Sequence, residues 1–187
     1  MKTLFLKQKI KYTGEQLKPL TNYLQHGLLG NSVVAWVGPC AVSTEHMIDG
    51  EDLRAKESIA ADEMVHFVFE LFDVSLKAGV CLQRLMAEMV KTYLQNKSQS
   101  SMAAKLVRKG DDLYFEKQKL NISIATQSAN SCLIHFAVNS LPTGAPVSIL
   151  SLQELVVPAD MFAKELMVLL QQEVLDILEA SQKVRTF

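Results

Sequence analysis

The sequence predicts an α+β domain: a mixed, largely antiparallel sheet covered by helices. Three observations carry this: short runs that alternate with the period of a strand, two long stretches with the period of a helix, and a close succession of strand signals after residue 110.

The elements follow in order. "MKTLFLKQKIKY" reads as a short strand-like start, and the lysines set among its apolar residues break any uninterrupted apolar core of a leader peptide. Thr13 and Gln16 have capping-box spacing, and Leu17, Leu20 and Leu24 continue at helical spacing. Pro19 has no backbone donor, so that helix either begins nearer Lys18 or bends there. Ser32 to Val37 is a β-branched run that reads as a buried strand ended by Gly38 and Pro39. "STEHMIDGEDLRAKES" is a polar loop richer in acids than in bases. "MVHFVFELF" then alternates, with Val65, Phe67, Phe69 and Leu71 on one face and His66, Val68 and Glu70 on the other.

"AGVCLQRLMAEMVKTYLQ" has the clearest period in the chain, with Leu82, Leu85, Met86, Met89 and Tyr93 on one stripe and Arg84, Glu88 and Lys91 opposite. This is a helix with a core-facing side. Strand signals at Leu113 to Phe115, Lys119 to Thr126 and Cys132 to Val138 are separated by links short enough for hairpins, which predicts an antiparallel meander. Pro158 and Asp160 announce a final helix through Phe162, Leu166, Leu169 and Leu170 to about Ala180.

Bulk properties narrow the function classes. The 187 residues suffice for one domain, residues 1–187, that buries about 70% of the surface its unfolded chain exposes. A formal net charge of -1 with intermixed signs argues against a nucleic-acid partner. Cys40, Cys81 and Cys132 are odd in number and lie far apart, so they indicate neither a disulfide framework nor a cysteine metal site. No stretch approaches the roughly 18 apolar residues of a membrane span. A cytoplasmic protein with free thiols is the expectation.

Among single residues, His46 with Asp49, Glu51 and Asp52 matches no metal-ligand spacing, and no metal site is assigned. His66 and His135 read as hydrogen-bonded strand histidines. Cys40 after "GP" would need a neighbouring base to act as a nucleophile. Lys119, taken alone, is a lysine flanking a hairpin.

From Lys77 onward the order of segments resembles the catalytic domain of biotin and lipoate protein ligases, which share their fold with class II aminoacyl-tRNA synthetases. "LKAGVCLQRLMAEMV" is similar to the helix those ligases place before their catalytic strands, and "RKGDDLY" to their "KWPNDLY". "KQKLNISIA" resembles their "GRKLAGIL" strand, and "IHFAVNS" their "IGIGINV". The whole chain also resembles the prokaryotic domain of unknown function 366 family through "GPC", "GEDL", "KGDDL", "KLNISIAT", "IHF" and the terminal "KVR".

The ligase resemblance implies a small-molecule ligand, a nucleotide or a carboxylic acid, with ATP and magnesium as the cofactors. It places Lys119 on the lysine that contacts both acyl carboxylate and adenylate phosphate, where negative charge crowds in the transition state. Arg108, Asp111, Asp112, Asn121, Ser123 and Asn139 are its expected ligand-binding neighbours, the two aspartates with oxygens suited to magnesium. If Leu120, Ile122 and Ile124 face the core, Lys119, Asn121 and Ser123 line whatever lies opposite. Two departures stand beside this. The acidic loop replaces the ligases' Gly- and Arg-rich cover, and Ile122 takes the place of a Gly that lets the acyl chain approach the backbone. A non-catalytic scaffold for protein binding is the other reading, and the architecture is compatible with sheet-edge homodimers.

Overall fold

A computed structural model describes residues 1–185; the last two residues of the expected 1–187 domain lie outside the described part. Five strands form the main sheet in the order β1-β2-β3-β8-β7. They are β1 (Lys2–Leu6), β2 (Ser32–Val42), β3 (Ile59–Phe72), β7 (Asn121–Gln127) and β8 (Ser131–Asn139). Only β1 and β2 run parallel; the remaining pairs are antiparallel. Three short strands, β4 (Val107–Lys109), β5 (Asp112–Phe115) and β6 (Gln118–Lys119), make a second sheet. Helices α1 (Thr21–His26), α2 (Gly50–Ala55), α3 (Leu76–Lys97) and α4 (Ala159–Gln182) complete the chain.

Helices α3 and α4 cover one face of the main sheet. Because successive strand residues point to opposite faces, Phe67 and Phe69 of β3 and Ile134 and Phe136 of β8 all turn toward those helices. Phe67 and Phe136 are fully buried there with Phe162, whose ring meets the Phe67 ring edge-on at a centroid distance of 6.2 Å. Burying each such side chain contributes about 1.5–3 kcal/mol. The opposite face carries a smaller cluster, Val34, Trp36, Met64, Val68, Leu133 and Ala137, over which the chain from Tyr12 to Leu17 folds back.

Several expectations need correction. Residues 13–20 form turns, and α1 starts only at Thr21, after Pro19 and a left-handed Leu20 (φ 64°). The Thr13–Gln16 pair still closes a local turn, with Gln16 Oε1 accepting from the Thr13 amide at 3.1 Å. Strand β2 continues through Gly38 and Pro39 to Val42, because its register shifts there and a bulge has no ladder bond for proline to lose. The acidic loop contains a helix, α2, whose Asp49 side chain caps the amides of Glu51 and Asp52. On α3 the buried stripe is rotated from the one expected: Gln83, Met86, Ala87, Val90 and Tyr93 face inward, while Leu82, Leu85 and Met89 lie at its half-buried margin.

The expected meander is two sheets instead. Leu120 separates β6 from β7, so β5 and β6 pair with each other while β7 joins β8 in the main sheet. That interruption shifts the alternation by a residue. Leu120 packs among the helix-side core, but Ile122 and Ile124 turn to the opposite face, and Ser123 turns toward α3.

Candidate functional site

The face of the sheet away from α3 and α4 is where polar side chains gather. Residues 10–12 lie against β2. Tyr12 donates its amide to the Pro39 carbonyl at 2.8 Å and accepts from the Ala41 amide at 2.9 Å. Ile10 approaches so closely that a Cβ on Gly38 would collide with its carbonyl oxygen, which also accepts from Trp36 Nε1 at 2.8 Å. This docking sets the Tyr12 ring flat over His135, with centroids 3.6 Å apart and planes 12° from parallel.

Beneath Tyr12, His66 and His135 form a buried pair, His66 Nδ1 to His135 Nε2 at 3.1 Å, and His66 Nε2 lies 3.1 Å from the Gly38 carbonyl. A carbonyl only accepts, so His66 carries its proton on Nε2. Burial holds both imidazoles neutral, pushing His66 down to about 4 and His135 well below its ordinary value, where the neighbouring His66 adds to the effect. A neutral His66 therefore accepts at Nδ1, His135 donates from Nε2, and His135 Nδ1 is left as a bare lone pair.

A cavity of about 460 Å³ opens above this floor. Its lower wall includes Tyr12, Met64, Ile122, Ile124 and His135, and its outer wall is the segment containing α2 together with residues 145–149. Every fully enclosed side-chain nitrogen or oxygen among the described residues has a partner. His135 Nδ1 and Tyr12 Oη have none, so these are the atoms that open onto the cavity. Burial, with a smaller effect of Cys40, raises the Tyr12 phenol far above its ordinary value and keeps it protonated.

Charge at the cavity is one-sided. Asp49, Glu51, Asp52, Glu57, Asp111 and Asp112 line it, against Lys119 and His46. Asp52 is held above the ordinary carboxylate range by burial and by Asp49 and Glu57, with Lys119 opposing. Lys119 Nζ bonds Asp112 Oδ2 at 2.9 Å and is about a third exposed. Burial works to lower its pKa, but Asp112 outweighs that and the net shift is upward, so the amine stays a cation.

The other expected site residues divide into two groups. Asp111, Asp112, Ser123 and Asn139 share the cavity with Lys119. Asp111 Oδ2 accepts from Ser123 Oγ at 2.6 Å and from Gln83 Nε2 at 2.8 Å, which ties β7 to α3. Asn139 Nδ2 donates to the carbonyls of Lys119 (3.0 Å) and Leu150 (3.2 Å), bracing the backbone that presents the lysine. Asn121 is fully buried away from the cavity; its Oδ1 accepts from the Leu113 amide at 2.7 Å and its Nδ2 donates to the Asp111 carbonyl at 2.9 Å. Arg108 stands apart on exposed β4, paired with Glu88 of α3 at 3.0 Å.

Each of the two aspartates expected to meet magnesium has one carboxylate oxygen engaged within the fold. Asp111 Oδ2 is taken by Ser123 and Gln83, and Asp112 Oδ2 by Lys119 and Tyr114. Among the described residues no three His, Cys, Asp or Glu side chains are gathered to hold an ion. Cys40 is buried and its thiol is pushed up to about 12 by burial, against a smaller opposing effect of Lys11, which makes it a poor nucleophile.

Sequence reasoning left out Tyr12, Met64 and Gln83. Gln83 had a signal, being a lone amide between apolar residues of a buried stripe; Tyr12 had none, because a long-range backbone bridge places it.

The family described as "Domain of unknown function (DUF366)" matches residues 1–185, and the chain belongs to it. An uncharacterised protein of Methanocaldococcus jannaschii is 35% identical over 161 residues, 83% of this chain and 71% of that protein. A solved protein of unknown function from Pyrococcus horikoshi superposes with a TM-score of 0.93 at 34% identity, over 100% of this chain and 98% of that one. Biotin protein ligase from Aquifex aeolicus gives a TM-score of 0.57 at 15% identity over 96% of this chain and 70% of the ligase. A putative lipoate protein ligase from T. acidophilum, solved with bound lipoic acid, gives 0.56 at 10% identity over 94% and 86%. The last two likenesses establish the ligase-type fold.

Proposed function

We propose that this DUF366 chain is a small-molecule-binding domain of biotin/lipoate ligase type, with its ligand in the cavity between the main sheet and the α2 segment. The observation that carries this reading is the cavity itself: its 460 Å³ lies within the ordinary size of small-molecule sites, and it joins an apolar wall to a few oriented polar groups. Lys119 is the residue through which the domain meets an acyl or phosphoryl oxygen at the cavity rim. Asp112 holds that amine as a cation, and Asn139 fixes its backbone. Of the two ligand classes the ligase resemblance implies, an acyl-type molecule fits better than a nucleotide. A bare triphosphate would meet six carboxylates without a built magnesium site to offset them.

Thermal unfolding with biotin, lipoate, octanoate, ATP, and ATP with magnesium tests this. A ligand at 100 times its Kd stabilises by about 2.7 kcal/mol, and at this size each kcal/mol moves Tm by roughly 2–4 °C. The reading expects a shift with an acyl-type compound that is lost in Lys119→Ala. Binding that survives this substitution removes Lys119 from the site.

A scaffold role has one observation in its favour. The second half of α4 exposes Leu175, Ile177 and Leu178, each by at least 39%. Concentration-dependent sedimentation reads this directly, and a dimer dispersed by Leu178→Glu would support it.

A further inference from the structure

The inner wall of the cavity has a chemical preference that the ligase resemblance does not imply. The tautomer chain from Gly38 through His66 leaves His135 with an acceptor facing inward, and His135 is 98% buried by its 2% relative exposure. Next to it, Tyr12 Oη also opens inward without a protein partner, from a residue only 3% exposed. Both atoms reach the cavity from otherwise buried residues, held in direction by the ring stack and the histidine pair. A ligand group that donates to His135 Nδ1 meets an acceptor already aimed into the cavity. A carboxylate placed there would set lone pair against lone pair.

The counter-charge points the same way. Six carboxylates surround the cavity, and Lys119, the one lysine or arginine of its lining, is already paired with Asp112. Beyond the Lys119 rim, a positive group entering this space is attracted and a negative one repelled.

We propose that the ligand enters head first with a protonated amine or another N–H-rich cation, which donates to His135 Nδ1 and contacts Tyr12 Oη while the acidic α2 segment supplies the counter-charge. The apolar residues Met64, Ile122 and Ile124 then take the body of the molecule, and any acyl oxygen it carries stays at the Lys119 rim. This rests on the cavity being the ligand site, as proposed above.

Calorimetric titration of the full chain with two molecules of matched skeleton and opposite charge, tryptamine and indole-3-propionate, tests it near neutral pH. Tryptamine is expected to bind at least about tenfold more tightly. Added salt should weaken tryptamine and narrow the gap. Tyr12→Phe, which keeps the stacked ring, should weaken tryptamine about three- to tenfold. Glu51→Gln combined with Asp52→Asn, both outside the core, should shrink the amine preference without disturbing the fold.

Equal or tighter binding of indole-3-propionate, lost in Lys119→Ala, would overturn the cation preference and leave the cavity reading standing. Tryptamine binding unaffected by Tyr12→Phe and by the loop variant would overturn the assigned inner contacts. No binding of either compound, together with a flat thermal response to the acyl and nucleotide panel, would overturn both readings.

Discussion

The two faces of the main sheet are built from the same strands and have opposite characters. Along β3, Phe67 and Phe69 look toward α3 and α4, while Met64, His66 and Val68 look the other way. Along β8, Ile134 and Phe136 face the helices and His135 the cavity. The helix face is sealed by aromatic and aliphatic side chains. The other face keeps two histidines, a tyrosine hydroxyl and a ring of carboxylates around open space. The helix face is filled throughout, whereas the other face combines a smaller buried cluster with an open part that carries polar groups.

Substitutions should separate the two faces by size of effect. Phe67→Ala or Phe136→Ala should cost about 3–5 kcal/mol in urea unfolding, whereas Met64→Ala, whose side chain borders existing space, should stay near about 2 kcal/mol. Equal losses on both faces would break the comparison.

Acid should attack the cavity face selectively. Unfolded, both histidines take up a proton near their ordinary value of 6.5, but folded His66 stays neutral down to about 4 and burial likewise holds His135 neutral well below its ordinary value. Protons therefore favour the unfolded chain. The stability that these groups contribute is complete above about pH 6.5 and is lost as pH falls toward 4, by about 3 kcal/mol for His66 alone. Urea midpoints across that range check this, and His66→Asn should flatten the slope.

Gly38→Ala should cost about 1–3 kcal/mol by pushing Ile10 off β2. It should also abolish ligand-dependent stabilisation, because Tyr12 is carried on the same segment. Smallest of all, Lys119→Ala should change stability by less than about 1 kcal/mol, since its ion pair with Asp112 is partly exposed. Its effect on ligand binding should be far larger than its effect on folding.

The helix face was legible in the sequence because alternation and helical period are local signals: Val65, Phe67, Phe69 and Leu71 declared their side correctly. The cavity face was legible only in part. Lys119, Asp111, Asp112, Ser123 and Asn139 were named through segment order, and the structure sets all five along one cavity. The His66–His135 pair, the Tyr12 stack and the Gly38 contact depend on residues 28 to 69 positions apart in the histidine bonds alone, which no local pattern encodes. The alternation of β7 misled because Leu120 interrupts the strand, and one skipped residue exchanges the faces of all that follow.

Methyl NMR of the methionines tests the central claim most directly, since Met64 and Met47 border the cavity while Met86 and Met167 lie in the helix-side core. Titrating tryptamine and octanoate into the protein, the account predicts shifts at Met64 and Met47 with Met86 and Met167 unmoved. Shifts confined to Met86 and Met167, or no shift at Met64 with either compound, would contradict it.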